Sequence, residues 1–205
     1  MPAATLGIAT AAPVARRTPG WQIARRSLLG YLLLVLAAWS APSPDLPDVR
    51  PRPEQEIKAA FIYKFLDYVE WPAGTFAGAS SPIVVGVLGG DGLADDLRAI
   101  AARRRIGQHP IEVRAVDENG PLDANVLFVG ADAASALSRV ASAARERSAL
   151  VVTDFADALA RGSVINFVVV DDRLRFEVSL DAAERSRLKL SSRMLSVALR
   201  VLPAR

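Results

Sequence analysis

The chain of 205 residues contains no cysteine, and this absence excludes several kinds of chemistry at once. Without cysteine it has no disulfide, no thiolate metal site and no thiol nucleophile. It has a single histidine, His109 in GQHP, which we interpret as a surface residue. One histidine cannot form a histidine metal cluster or an H-E-x-x-H motif, and no G-x-S-x-G motif occurs. We therefore expect a core that depends on packing alone, no metal and no cofactor.

The sequence also lacks a real excess of positive charge. Its formal net charge is +3 and its pI about 9.7, but residues 1–40 hold four of the 25 basic residues and none of the 22 acidic ones. The rest of the chain carries 21 basic against 22 acidic side chains, a balance of about −1. Nucleic-acid binding on the strength of basic character is therefore excluded.

The amino terminus has the pattern of a secretory signal peptide. Arginines precede an apolar run of about 12 residues, 28–39, and the small residues Ala38 and Ser40 stand at positions −3 and −1 before Ala41. The run is shorter than the roughly 20 residues that span a bilayer, although an uncleaved anchor is the alternative interpretation. We predict that residues 1–40 direct export to the periplasm. The pair Arg25-Arg26 leaves both the Sec and the twin-arginine route open.

Two further regions follow the predicted signal. Residues 41–53, APSPDLPDVRPRP, contain five prolines and predict an extended tether. Residues 54–205 are predicted to form one domain. In it, apolar runs of strand length, PIVVGVLGG, NVLFVG and ALVVTD, alternate with helical segments. This alternation is typical of a parallel sheet covered by helices on both faces.

Other segments complete the predicted fold. IEVRAV alternates as a half-exposed or edge strand does, and FADALARG predicts a short helix ending at Gly162. SVINFVVV and LRFEVSL flank Asp171-Asp172, which predicts an antiparallel hairpin. DAAERSRLKLSSRMLSVALRVL predicts a closing helix, with Asp181 as N-cap and Glu184 completing a capping box. The fold class is α/β, a three-layer Rossmann-like sandwich with a mostly parallel sheet, a C-terminal antiparallel hairpin and a closing helix.

FIYKFLDYVEWP, residues 61–72, holds five aromatic residues in a chain that is only 6% aromatic. Four residues recur on one helical face and predict a stripe that packs against the sheet: Ile57, Phe61, Phe65 and Tyr68. Trp71-Pro72 is predicted to end this helix. The charges expected on its exposed surface mix both signs, unlike those of a membrane-surface helix: Lys58, Lys64, Asp67 and Glu70. Tyr63 and Trp71 lie off the stripe and are candidates for a pocket or an interface.

The glycine-rich GVLGGDG, Gly86 to Gly92, stands where dinucleotide-binding folds bind pyrophosphate. Asp95 occupies the position that needs Gly or Ala, so we predict a turn and no nucleotide. Aspartates near predicted strand ends indicate either a site or helix caps: Asp91, Asp95, Asp96, Asp154 and Asp157. Arg103-Arg104-Arg105 at a helix end fits the helix dipole, and a partner contact is the other interpretation.

Read in order, several segments resemble the YfiR family of exported bacterial proteins. They are KAAFIYKFLDYVEWP, IVVGVLG, NVLFVG, VINF, FEVSLDAA and LKLSSRMLSVA, and together they cover about residues 54–202. The resemblance implies a periplasmic regulator rather than an enzyme. By this resemblance, the regulator is expected to bind the periplasmic sensor region of an inner-membrane diguanylate cyclase and to hold the cytoplasmic catalytic domain of that cyclase inactive. Release of the cyclase is then expected to raise cyclic di-GMP and to favour biofilm formation. The resemblance also implies an α/β sandwich that forms a homodimer.

The chain departs from the family pattern at three places. Family members often have a cysteine before the NVLFVG strand, where this chain has Asn125, so redox control through disulfides is excluded. Gly162-Ser163 precedes VINF in place of Gly-Gly, and Ser179 stands in place of Asn. We therefore expect the same fold, with a partner and a signal that can differ.

The mixed apolar and basic character of the hairpin and closing helix suits a protein interface. The residues predicted to contact the partner are Phe176, Leu188, Leu190, Arg193 and Met194. The competing interpretation places the leucines and Met194 in the core and Arg193 in solvent. A second hypothesis is a periplasmic small-molecule-binding sensory domain, with its ligand at the carboxyl ends of the strands. A hydrolase or transferase is disfavoured because no acid–base or nucleophile set is visible.

Overall fold

The computed structural model describes residues 54–90 and 92–204. The predicted signal peptide and tether lie outside this part of the chain. The helices of the described part are α1 (Glu54–Leu66), α2 (Leu93–Ala101), a 3-10 helix (Ala131–Ala136), α3 (Leu137–Arg147), α4 (Leu180–Arg185) and α5 (Ser192–Val197). The strands are β1 (Val69–Glu70), β2 (Ile83–Leu88), β3 (Arg105–Ile106), β4 (His109–Ala115), β5 (Val126–Val129), β6 (Leu150–Thr153), β7 (Ile165–Val170), β8 (Arg173–Ser179), β9 (Lys189–Leu190) and β10 (Arg200–Leu202).

Eight of these strands form one sheet in the order β10-β8-β7-β6-β5-β2-β4-β3. The five central strands, β7, β6, β5, β2 and β4, are parallel, which confirms the predicted mostly parallel α/β sheet. β8 pairs with β7 in the antiparallel direction through a turn in which Asp171 and Asp172 have φ values of 51° and 55°. Two consecutive residues with positive φ are typical of a type I′ turn. The predicted antiparallel hairpin is confirmed.

The two faces of the sheet bury different helices, because successive side chains of a strand point in opposite directions. On one face Val85 and Val126 pack in a cluster with residues of α1 and α2. On the other face Leu127 and Val151 pack with residues of α3. This arrangement is the predicted three-layer sandwich. No helix within residues 54–90 and 92–204 is long and apolar enough to cross a membrane.

The first helix is shorter than predicted, and the face that it buries differs from the predicted one. It ends at Leu66 rather than at Trp71, because Val69 and Glu70 pair with Leu190 and Lys189 in a two-stranded sheet. Phe65 is buried and Phe61 and Tyr68 are partly buried, but Ile57 is 44% exposed. The face of α1 that is buried consists of Lys58, Ala59, Ile62, Phe65 and Leu66.

The prediction of one continuous closing helix is wrong. α4 and α5 are short helices separated by β9, and β10 then adds a parallel strand beside β8. The N-cap of α4 is Ser179, whose Oγ accepts a hydrogen bond from the Ala182 amide, whereas Asp181 lies in the first turn and bonds Arg185. The short helix predicted over residues 155–162 is also absent, since this segment forms turns. β4 is half-buried beside the two-residue edge strand β3, as its alternating sequence predicts.

Candidate functional site

Lys58 is buried at the carboxyl end of the parallel strands, contrary to the expectation that it lies on the exposed side of α1. Its side chain is 5% exposed, and Nζ lies 2.6 Å from Asp154 Oδ2 and 2.7 Å from Glu54 Oε1. Asp154 directly follows β6, and its side chain is 10% exposed. This ion pair therefore fastens the first turns of α1 to the end of β6.

The environment of Lys58 keeps its ammonium group charged. Burial lowers the pKa of a lysine, because desolvation penalises the charged form. The hydrogen bonds and negative charges of Asp154 and Glu54 outweigh that penalty, so the pKa of Lys58 is raised above its usual 10.5. Oδ1 of Asp154 is buried and has no hydrogen-bond donor among the described residues. The cluster thus has a complete ion pair and one remaining acceptor.

A second buried polar group joins β6 to β7 beside this ion pair. The Thr153 hydroxyl donates to Asn166 Oδ1 at 2.8 Å, and the Ser163 hydroxyl donates to the carbonyl of Ile165 at 2.7 Å. All three polar side chains are almost fully buried. Because they satisfy one another, their role in the isolated chain is to hold the two strands together.

The glycine-rich turn after β2 is occupied by the chain's own carboxylate. Asp132 accepts hydrogen bonds from the Gly90 amide at 3.0 and 3.2 Å. Gly90 has a φ of 73°, and a Cβ at this position would lie 2.9 Å from the Phe128 ring. The amide that a dinucleotide-binding fold directs at pyrophosphate thus donates to a side chain instead. This contact explains the glycines without a bound phosphate.

The remaining aspartates and the histidine do not converge on one site. Asp95 pairs with Arg98 one turn later, and Asp157 lies in a turn with a φ of 60°. Asp91 is outside the described residues. His109 Nδ1 lies 2.7 Å from the Ser81 carbonyl, and its ring packs 4.5 Å from that of Phe76. Among the described residues no three histidine, aspartate or glutamate side chains are grouped to hold a metal ion.

The five residues predicted to contact a partner do not share one surface. Phe176, Leu188 and Met194 are buried in the core of the chain, which corrects their assignment to a contact surface. Phe176 packs 5.0 Å from the Phe65 ring because the residues of β8 that face α1 are covered by that helix. Leu190 is half-buried in β9, and Arg193 is exposed at the start of α5. Only these two remain available to a partner.

The residues that are exposed and apolar lie elsewhere, at the end of the β7–β8 hairpin. Phe61 packs 6.0 Å from Phe167 and 5.9 Å from Phe176, and the pair Val169 and Leu174 continues the same face of the hairpin. Ile57 lies one turn before Phe61, and the Leu199 amide bonds the Phe176 carbonyl. We call Ile57, Phe61, Val169, Leu174 and Leu199 the hairpin surface.

Three of the five most exposed large apolar side chains of the described residues belong to the hairpin surface. Val169 is 57% exposed, Ile57 44% and Leu199 41%. The other large apolar side chains with comparable exposure are Val170, on the opposite face of β7, and Val197, at the end of α5. Of these five residues, Ile57 belongs to α1 and the other four follow β6 in the chain. Helical periodicity predicts that Ile57 lies in the core, so the sequence does not predict the hairpin surface. The one feature of the sequence that indicates this surface is the apolar run that extends to Val170.

The fold and the site together define a Rossmann-like α/β protein whose polar groups at the strand ends bond within the chain and whose apolar side chains are exposed at one end. The YfiR/HmsC-like family matches residues 55–199, and the chain belongs to this family. The resemblance found in the sequence is therefore confirmed. No curated protein matches the chain significantly.

The fold also has a counterpart among solved structures. The chain is similar to the crystal structure of a conserved domain protein from Vibrio cholerae O1 biovar El Tor strain N16961, with a TM-score of 0.53 and 13% sequence identity. The match covers 72% of this chain and 60% of that chain, so this chain spans less than two thirds of the solved protein. At this identity the similarity shows the fold alone.

Proposed function

We propose that the chain is a periplasmic regulatory binding protein that represses an inner-membrane diguanylate cyclase by binding its periplasmic sensor region. Through this contact it controls cyclic di-GMP and biofilm formation. Membership of the YfiR/HmsC-like family supports a periplasmic regulator in the cyclic di-GMP pathway. The observation that carries the binding part of the proposal is the hairpin surface. In this proposal the chain acts by binding and not by catalysis, residues 1–40 direct its export, and residues 41–53 tether the domain.

The composition of the hairpin surface suits a protein contact. Exposed apolar side chains at the centre of an interface supply most of its binding energy, and charged residues surround them. Val169 and Leu174 provide such a centre, whereas the exposed Arg173 and Arg175 alternate with Leu174 and belong to the opposite face of β8. A partner surface with an apolar centre would be complementary.

Repression by binding needs only a shift between two states of the partner. The regulator stabilises the inactive arrangement of the cyclase, and a signal that weakens this contact releases it. A useful switch requires a coupling free energy of about 1–3 kcal/mol, which changes the affinity for the partner roughly 5- to 150-fold. Exposing one or two buried side chains of the hairpin surface changes the free energy of binding by a similar amount.

A small-molecule-binding sensory domain acting on another envelope partner is the alternative. Clefts in the described chain have volumes of about 150 Å³ beside Gly162, 160 Å³ beside Val84, 310 Å³ beside Pro72 and 460 Å³ beside Arg103. Sites for drug-sized ligands usually have volumes of about 300–1,000 Å³ and a mostly apolar lining. The two larger clefts reach this size, but arginine side chains line both of them, so the exposed apolar surface favours a protein partner.

The test is cross-linking in intact cells of the native host. The carboxyl terminus is tagged, the cells are cross-linked, and the purified partners are identified by mass spectrometry. We expect a membrane protein with a periplasmic region and a cytoplasmic diguanylate cyclase domain. A cross-linked pair of the chain itself would support the proposed homodimer.

Two neighbouring valines provide a matched pair of variants. Val169→Asp places a charge on the hairpin surface, whereas Val170→Asp places the same charge on the opposite face of β7. We expect the first variant to reduce recovery of the cyclase at least tenfold and the second to leave it unchanged, with equal thermal stability. Recovery of the chain alone, in cells that express such a cyclase, would contradict the proposal.

A further inference from the structure

Four basic side chains gather at the end of the sheet opposite the hairpin. Arg103 and Arg104 follow α2, and Arg105 begins β3, the outermost strand of the eight-stranded sheet. Lys64 projects from the last turn of α1. All four side chains are exposed, and two of them, Lys64 and Arg104, lie near the ring of the half-buried Tyr63. We call Tyr63, Lys64 and Arg103–Arg105 the basic edge.

The contacts of the basic edge leave its charges largely uncompensated. The Arg104 guanidinium lies 5.1 Å from the centre of the Tyr63 ring, and Lys64 Nζ lies 5.9 Å from it. Arg105 donates to the Gln108 carbonyl at 3.1 Å. Within the described chain none of the four cations forms an ion pair with an acidic side chain. The acidic residue nearest to Lys64 in the sequence is Asp67, directly after the end of α1.

A role in capping the helix does not account for this cluster. The end of α2 is closed by backbone contacts, in which the Ala102 amide bonds the Arg98 carbonyl and the Arg104 amide bonds the Ala101 carbonyl. The helix dipole favours one or two cations at this position, worth about 0.3–1 kcal/mol each. Four cations within reach of one another repel, so a nearby anion would relieve a real cost.

We propose that the basic edge binds the surface of an anionic phospholipid bilayer. Guanidinium groups hold phosphate through paired hydrogen bonds, and tyrosine is favoured at the boundary between lipid and water. None of the most exposed large apolar side chains of the described residues belongs to the basic edge, so it lacks the apolar centre of a stable protein contact. The inference goes beyond the proposed function and does not depend on the cyclase. It would hold the chain against the membrane in which the proposed partner resides.

Vesicle sedimentation tests this inference with the chain purified from the envelope of expressing cells. Vesicles containing phosphatidylglycerol are compared with vesicles of phosphatidylcholine alone, at low and at high salt. Each basic side chain near an anionic bilayer strengthens binding about fivefold, so Arg103→Gln/Arg104→Gln/Arg105→Gln should weaken it roughly a hundredfold. The control, Arg173→Gln/Arg175→Gln, removes two exposed charges from β8, which lies near the edge of the sheet opposite to β3, and should bind as the unmodified chain does.

The expected pattern is binding that requires phosphatidylglycerol, weakens with salt and is lost only in the first variant. Thermal unfolding of both variants verifies that they are folded. Equal binding to both kinds of vesicle, or an equal loss in the two variants, would overturn the assignment. Absence of binding to phosphatidylglycerol vesicles at low salt would also overturn it and would direct attention to an acidic protein surface.

Discussion

Replacing Lys58 tests the buried ion pair that fastens α1 to β6. In Lys58→Met the Asp154 carboxylate keeps its buried position but loses its cation. Removing one partner of a buried ion pair costs about 3–5 kcal/mol, since the remaining charge is desolvated without compensation. For a domain of this size each kilocalorie lowers the melting temperature by roughly 2–4 °C. We therefore expect a decrease of about 6–20 °C, with α1 loosened from the sheet.

Thermal unfolding followed by circular dichroism measures the change, with Lys64→Met as the control. Lys64 lies on the same helix, but it is exposed and its loss should cost less than about 0.5 kcal/mol. The double variant Lys58→Met/Asp154→Leu should recover much of the lost stability, because no buried charge is left.

Two results would refute this reasoning. One is a melting temperature of Lys58→Met within 2 °C of that of the unmodified chain, which would mean that water solvates Asp154. The other is a double variant that loses the sum of two independent penalties, which would mean that the two side chains do not interact.

Three further outcomes follow from single contacts. Because the pKa of Lys58 is raised in the folded chain, the stabilising charge of this residue is fully present below its usual pKa of 10.5 and is lost as the pH rises through the higher pKa of the folded state. The difference in free energy of unfolding between the unmodified chain and Lys58→Met should therefore stay constant from pH 6 to 9 and shrink above pH 10.5. Asp172→Val places a β-branched residue at a φ of 55° and should lower the free energy of unfolding by about 1–2 kcal/mol, whereas Asp172→Gly should not lower it. Ser179→Ala removes the N-cap of α4 and should cost about 1 kcal/mol in chemical denaturation; an unchanged midpoint would reject the cap.

The central sheet was predictable because buried parallel strands leave continuous apolar runs. IVVGVL, VLFV and LVVT become β2, β5 and β6. The hairpin was predictable from Asp171-Asp172, since aspartate tolerates the positive φ that the turn requires. These signals lie within short segments of the sequence, and in each case the segment itself determines the strand or turn that forms.

The regions that were not predicted depend on distant partners. Val69 leaves the helical pattern because its backbone pairs with Leu190, 121 positions away along the chain. Lys58 has the spacing of an exposed i, i+4 pair with Glu54, and nothing in the sequence shows that Asp154 comes within 2.6 Å of it. The sequence indicates that Asp154 lies at a strand end, but it does not identify its partner. Tertiary contacts of this kind override helical periodicity.

Residue type and helical periodicity also do not predict which apolar residues of the hairpin surface are exposed. Phe176 fits an interface by residue type, yet α1 covers it, whereas Ile57 fits the core pattern and is left exposed. The difference depends on how far α1 extends over the hairpin, a quantity that periodicity does not contain.

The most direct test of repression from the periplasm is the level of cyclic di-GMP in the native host. A strain lacking the chain is complemented with the full sequence or with a version lacking residues 1–40. We predict that loss of the chain raises cyclic di-GMP severalfold, that the full sequence restores the original level, and that the version without residues 1–40 does not, although it accumulates. An unchanged level in the deletion strain, with the cyclase expressed, would contradict the account, as would full restoration by the shortened version.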